Sequence, residues 1–240
     1  MKITSVNNEL VKETAKLLKG KYRDETGLFL IEGNKGIEEA VKAKLEVIHI
    51  FSSEGFENYP QRIEVTEPVL AKISDAKTAP KAIAVVKQPI HKWSENFGKV
   101  ILLEGIKDPG NLGTILRSAS AFGIDAIVLY GDTVDLYNPK CVRSTVGNLW
   151  KIPVFRMNDL SVFKSFERIA TLPKGENIIP LKSYNPKGQT VIMFGSEADG
   201  LSEELKKQAT KNLTIEMSEN VESLNLSVSA SIVMYELFVK

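Results

Sequence analysis

The feature that most limits how this chain can fold is the alternation of short apolar runs with longer amphipathic segments, sustained through the second half of its 240 residues. VILLEG precedes NLGTILRSASAFG, AIVLYG precedes PKCVRSTVG, TVIMFG precedes LSEELKKQ, and LNLSVSASIVMYELFV closes the series. Short apolar runs bounded by glycine read as strands covered on both faces, and the periodic segments between them read as helices. Parallel neighbours need long crossovers, so the alternation predicts a mostly parallel sheet with helices on both sides.

Residues 1–87 predict a smaller α/β unit. Ser5 or Asn7 can cap a helix that carries Leu10, Leu17 and Leu18 and ends at Gly20. GLFLIEG and LEVIHIF read as strands around the helix NKGIEEAVKAK. Thr66 and Pro68 open another helix, and KAIAVV at 81–86 forms a further strand. KQPIHKWSENFG has a proline and little periodicity, which makes it a linker. The expected division is a domain over 1–88, a linker over 89–98 and a domain over 99–240.

Charge and rare residues then remove whole classes of chemistry. Lys and Arg number 31 against 30 Asp and Glu, and 43% of residues are hydrophobic, an ordinary globular balance. The one cysteine, Cys141, excludes a disulfide framework and a cysteine zinc cluster. Both histidines, His49 and His91, precede the motif-rich half, so its chemistry is expected to run without histidine acid/base catalysis or a histidine metal site. The first twenty residues interleave charge with apolar groups, and no window approaches the roughly 18 apolar residues of a membrane span. A cytoplasmic protein is the expectation. Up to Arg23, six basic residues (Lys2, Lys12, Lys16, Lys19, Lys21, Arg23) face two acidic ones (Glu9, Glu13). That excess is either a solvated helix face or a patch for phosphates.

Three segments carry candidate chemistry. In KDPGNLGTILRSASAFG, Leu112, Ile115, Leu116, Ala119 and Phe122 form a helical stripe, and Arg117 projects away from it. Asn111 stands at the helix start, where it could be an N-cap or a functional amide. IMFGSEADGLSEE at 192–204 has a strand, a tight turn and a helix, the order of a nucleotide site. It departs from the dinucleotide fingerprint, because Glu197 takes the place of the middle glycine and Asp199 sits nearby. Two carboxylates oppose a pyrophosphate there but suit a ligand with a positive centre, such as the sulfonium of S-adenosylmethionine. They could instead cap the helix that opens at Ser202. LTIEMSENVESLNLSVSASIVMYE repeats Ser223, Asn225, Ser227, Ser229 and Ser231 beside the small Ala230, which gives the last helix a polar-dotted close-packing face. Capping by Ser223 or Asn225 is the structural alternative.

Taken in order and spacing, these three segments resemble the three motifs of the SpoU family of RNA 2′-O-methyltransferases, over residues 100–238 or so. LVKETAKLLKGKYRDETGLFLIEG resembles the family's N-terminal substrate-binding domain, similar to a small ribosomal RNA-binding protein. KAIAVV departs from it, with Lys81-Ala82 where a Gln-Gly pair is common. The resemblance implies a trefoil-knotted parallel-sheet domain, its final helix tucked through a loop, in place of the unthreaded sheet that local rules give. It also implies a homodimer that builds its site across the interface. The implied activity is methylation of a ribose 2′-OH in structured RNA, ribosomal before transfer RNA, with S-adenosylmethionine and no metal. By the same match Arg117 is either the base or, as its chemistry favours, the group that orients the hydroxyl and phosphate; Asn111 orients that arginine or the ribose, Glu197 ties the catalytic site together electrostatically, and Ser223 and Asn225 complete its polar wall. Gly195, Ile215 and Leu224, with Thr171 and Gly200, hold the cofactor; Lys12, Lys16, Lys19, Lys21 and Arg23 meet RNA. A nicotinamide-dependent dehydrogenase and a catalytically silent RNA-binding protein are the rival readings, and Glu197 and the joint presence of the motif residues speak against them.

Overall fold

The computed structural model describes residues 2–173 and 177–239. They divide into two compact units, one of residues up to Ile90 together with Asp135–Trp150, the other of His91–Val134 with the residues from Lys151 on. No helix among the described residues is long and apolar enough to cross a membrane.

The first unit holds strands β1 (Lys2–Ile3), β2 (Leu28–Glu32), β3 (Val47–Ser52), β4 (Arg62–Val65) and β5 (Ala82–Lys87), in the order β1-β4-β3-β5-β2. β1, β4 and β3 are parallel, and β5 runs against both β3 and β2. Phe29, Leu30, Ile31, Ile50, Phe51 and Ile83 are buried within it. Helices α1 (Glu9–Lys16), α2 (Gly20–Thr26), α3 (Asn34–Lys42) and α4 (Glu67–Lys72) flank the sheet.

The first helix differs from expectation at both ends. Asn8 is its cap, its side chain accepting from Leu10 N at 3.0 Å, in place of Ser5 or Asn7. The chain then tightens through Leu17 N to Thr14 O and Leu18 N to Ala15 O, and Gly20 opens α2 where it was expected to close α1. The stop glycine is Gly27, at φ 65° in the left-handed region that favours glycine. Asp135–Trp150, with α6 (Pro139–Ser144), packs in this unit through Arg23 to Asp135 at 2.7 Å, Arg143 to Glu32 at 2.7 Å and the Phe29–Tyr137 ring pair.

The second unit is one parallel sheet of seven strands, in the order β10-β12-β9-β11-β6-β7-β8. These are β6 (Lys99–Glu104), β7 (Ala126–Tyr130), β8 (Val154–Met157), β9 (Glu167–Thr171), β10 (Ile179–Pro180), β11 (Thr190–Phe194) and β12 (Lys211–Thr214). Every neighbouring pair runs parallel. Helices α5 (Pro109–Ala121), α7 (Glu203–Gln208) and α8 (Leu226–Phe238) belong to this unit. The chain runs outward from β6 to β8, then crosses to lay β9 on the other side, and β11 enters between β9 and β6. That reversal creates a crevice at the carboxyl ends of the strands, where open α/β sheets take their ligands. Trp93 and Phe97, in the expected linker, pack here, with Trp93 5.3 Å from the Phe155 ring and 5.5 Å from Phe163.

Candidate active site

A cavity of ≈ 840 Å³ lies where β9, β11 and β12 end, within the size range of ligand sites. Thr171, Gly195, Glu197, Gly200, Ile215, Ser223, Leu224 and Asn225 all line it, so residues spread over 55 positions of sequence meet around one space. The turn after β11 explains why two of them are glycine. Gly200 N donates to Ser196 O at 3.0 Å and Gly200 sits at φ 69°. A Cβ on Gly195 would stand 1.9 Å from the Gly200 carbonyl carbon, so the backbone closes there only without a side chain.

The helix starts assign the polar groups. Asp108 caps α5, accepting from Asn111 N at 2.8 Å, which leaves the Asn111 amide free of capping. Ser202 caps α7 through Leu205 N, and its own N–H donates to Glu104 at 2.7 Å. Glu197 and Asp199 therefore have no helix to cap, and the capping alternative for them falls. Glu197 accepts from Asn111 Nδ2 instead. Asn111 Oδ1 accepts from Asn225 Nδ2 at 3.1 Å, and Asn225 Oδ1 caps α8 by accepting from Ser227 N at 2.9 Å and Val228 N at 3.3 Å. Asn225 thus caps α8, as the structural alternative had it, and also bonds Asn111 at the cavity wall. Because its oxygen is engaged by N–H donors, its NH₂ must face Asn111, and Asn111 must in turn present NH₂ to the Glu197 carboxylate.

The cavity is acidic. Glu197, Asp199 and Glu222 line it against a single cation, Lys206, among the described residues. Lys206 is bound at 2.9 Å to Glu203, and that hydrogen bond, with the lysine's charge, holds the Glu203 carboxyl below its usual range. The wall therefore favours a ligand carrying positive charge.

Not every candidate residue converges on this space. The Thr171 hydroxyl donates to Met193 O at 2.8 Å and is committed to the sheet, although the residue lines the cavity. Arg117 is exposed on α5 outside the cavity, with no side-chain partner among the described residues. In the first unit, Lys12 pairs with Glu9, Lys16 with Glu13 and Lys21 with Glu25, while Lys19 has no ion pair among the described residues. Arg23 is only 2% exposed and donates to Leu17 O and Asp135, so it holds the fold and is not a surface contact for RNA. Glu222, Met217 and Val233 line the cavity without having been singled out, because no local spacing distinguishes them from loop and core residues.

Residues 98–235 match the model of the SpoU rRNA Methylase family, and residues 8–84 match an MRM3-like substrate binding domain. The chain is 32% identical to the 23S rRNA (guanosine(2553)-2′-O)-methyltransferase RlmP of Bacillus subtilis (strain 168), over 98% of each chain. Among solved structures it is similar to an AdoMet-bound rRNA methyltransferase from Sinorhizobium meliloti, with TM-score 0.87 and 26% identity over 98% of this chain and 96% of that one. An RNA 2′-O ribose methyltransferase structure matches with TM-score 0.82 and 31% identity over 98% and 97%. With its catalytic half matched throughout and a relative alike from end to end, the chain belongs to the SpoU rRNA methylase family.

Proposed function

We propose that this protein transfers a methyl group from S-adenosylmethionine to a ribose 2′-OH of ribosomal RNA, in the cytoplasm, as a homodimer. The observation that carries the reading is the acidic cavity at the carboxyl ends of β9, β11 and β12, closed by the Gly195–Gly200 turn and tied to α5 and α8 through Glu197, Asn111 and Asn225. Its carboxylates fit a cationic sulfonium and disfavour a pyrophosphate. Gly195, Gly200, Ile215 and Leu224, with the backbone of Thr171, would hold the cofactor, which when bound supplies an electrophilic methyl group.

The chain's own residues then have to place a poor nucleophile in line and dispose of its proton. A guanidinium is a cation with no free lone pair to act as a base, so Arg117 orients the 2′-OH and the neighbouring phosphate, and a phosphate oxygen takes the hydroxyl proton. Asn111 and Asn225 hold the Glu197 carboxylate at the edge of the cavity, and Ser223 adds a hydroxyl to the same wall. Arg117 stands outside the cavity of its own chain, which suits a site completed by a second copy. Val228, Ile232 and Tyr235 on α8, with Val239 just after it, supply the face for that copy, spaced by four, three and four residues and each 38–49% exposed.

RNA is held through Lys12, Lys16, Lys19 and Lys21. The pairs that Lys12, Lys16 and Lys21 make with neighbouring glutamates are exposed and weak, so phosphates displace them readily. Mass spectrometry of ribose methylation in ribosomal and transfer RNA from a deletion strain tests the whole reading. Loss of one ribose methyl from ribosomal RNA, restored by the wild-type chain, is expected. Loss confined to transfer RNA overturns the substrate, and no loss in either overturns the activity.

A further inference from the structure

α5 and α8 are joined at two places on one face. Asn111 meets Asn225 at the start of both helices, and Ser118 Oγ lies 2.7 Å from Ser231 Oγ two turns further along. The proton positions in the second link follow from its neighbours. Ser231 donates its only hydroxyl proton to Ser227 O at 2.7 Å, so Ser118 must be the donor to Ser231. Ser227 in turn is 6% exposed and donates its own hydroxyl to Asn225 Oδ1 at 2.7 Å. Both links therefore end on Ser227, one at its carbonyl and one at its hydroxyl.

Two anchors seven residues apart, about 10 Å along a helix, set both the position of α5 along α8 and its rotation about its own axis. Arg117 lies between them, and its side chain has no partner among the described residues. A few degrees of helix rotation reaches the end of an arginine side chain as a displacement on the order of 1 Å, and a misplacement of that size can cost about a hundredfold in rate. We propose that Ser118 is a positioning residue for methyl transfer: its hydroxyl, donated to Ser231, fixes the rotation of α5 that presents Arg117. This rests on the reading of Arg117 as the group that orients the ribose.

The test is single-turnover methyl transfer to ribosomal RNA by the full chain, beside cofactor titration and a melting curve. Ser118→Ala and Ser231→Ala should each slow transfer roughly tenfold, and the double variant should be no slower than either. Cofactor affinity should stay within about twofold, and Ser118→Thr, which keeps the donor, should restore most of the rate. In an Arg117→Ala background, Ser118→Ala should add no further loss. An undiminished rate for Ser118→Ala, a full multiplicative loss on top of Arg117→Ala, or failure of Ser118→Thr to recover overturns the proposal. If Arg117→Ala alone transfers at the wild-type rate, the reading of Arg117 fails first and carries this proposal with it.

Discussion

Replacing Gly195 with alanine tests whether the turn after β11 is the cofactor's seat. The added Cβ would lie 1.9 Å from the Gly200 carbonyl carbon, 2.1 Å from its oxygen and 2.1 Å from Leu201 N, whereas ordinary contact begins at 3.4 Å. All three obstacles are backbone atoms, so no rotamer change relieves the clash; the 195–201 segment must move by more than 1 Å or the sheet must give. Overpacking of this kind costs about 1–3 kcal/mol. The same displacement shifts the cavity wall that carries Glu197 and Asp199. Gly195→Ala should therefore melt earlier by several degrees and lose at least about tenfold in S-adenosylmethionine affinity by calorimetry. Gly200→Ala is the comparison, since its Cβ would meet nothing within 4 Å and only its φ of 69° is unfavourable. That variant should lose about 1–2 kcal/mol of stability and bind the cofactor nearly as well. A Gly195→Ala chain with wild-type melting and wild-type affinity would refute the reasoning, because it would mean that the turn neither closes as described nor borders the ligand.

Arg117→Ala should leave stability within about 0.5 kcal/mol, since the side chain is exposed and has no partner among the described residues, yet lower single-turnover methyl transfer at least a hundredfold; Arg117→Lys should not recover it, lacking the planar fork. Reversing Lys12, Lys16, Lys19 and Lys21 to glutamate should weaken RNA binding and flatten its dependence on salt without altering cofactor affinity, and an unchanged salt slope in filter binding would count against this surface. Light scattering of the full chain should give a dimer mass, and Ile232→Glu with Tyr235→Glu should reduce it to that of a monomer; a dimer that survives both changes places the interface elsewhere.

How much of this was legible depended on whether the signal was local. The strands around Val100–Leu103 and Val191–Phe194 were readable because a strand covered on both faces must be apolar throughout. β4 and β8 escaped because each keeps most of its side chains only partly buried, so RIEV and VFRM look like loop sequence. The Gly20 stop failed because one glycine can open a helix as well as end it, and only tertiary contacts decide; here Arg23, expected at the surface, turns inward to Leu17 and Asp135. Membership of the cavity was legible only through the joint resemblance of three motifs. No periodicity brings Thr171, Glu197 and Asn225 to one place, since that follows from the strand order.

The polar centre of the site is built from bonds that the fold needs in any case. Asn225 caps α8 with its oxygen and holds Asn111 with its nitrogen; Asp108 caps α5 and so releases Asn111 to reach Glu197; Ser202 caps α7 and releases Glu197 from that task. Each cap is worth about 1 kcal/mol to its helix, so the amide orientations at the site are enforced by helix stability and not only by a weak bond between two exposed side chains. A substitution such as Asn225→Asp separates the two functions. The carboxylate still caps α8, and its charge suits that end of a helix, but it cannot donate to Asn111 Oδ1 and brings a second negative charge towards Glu197. Stability and activity should therefore part at this position, with the fold kept and the wiring of Asn111 lost, whereas Asn225→Ala should damage both.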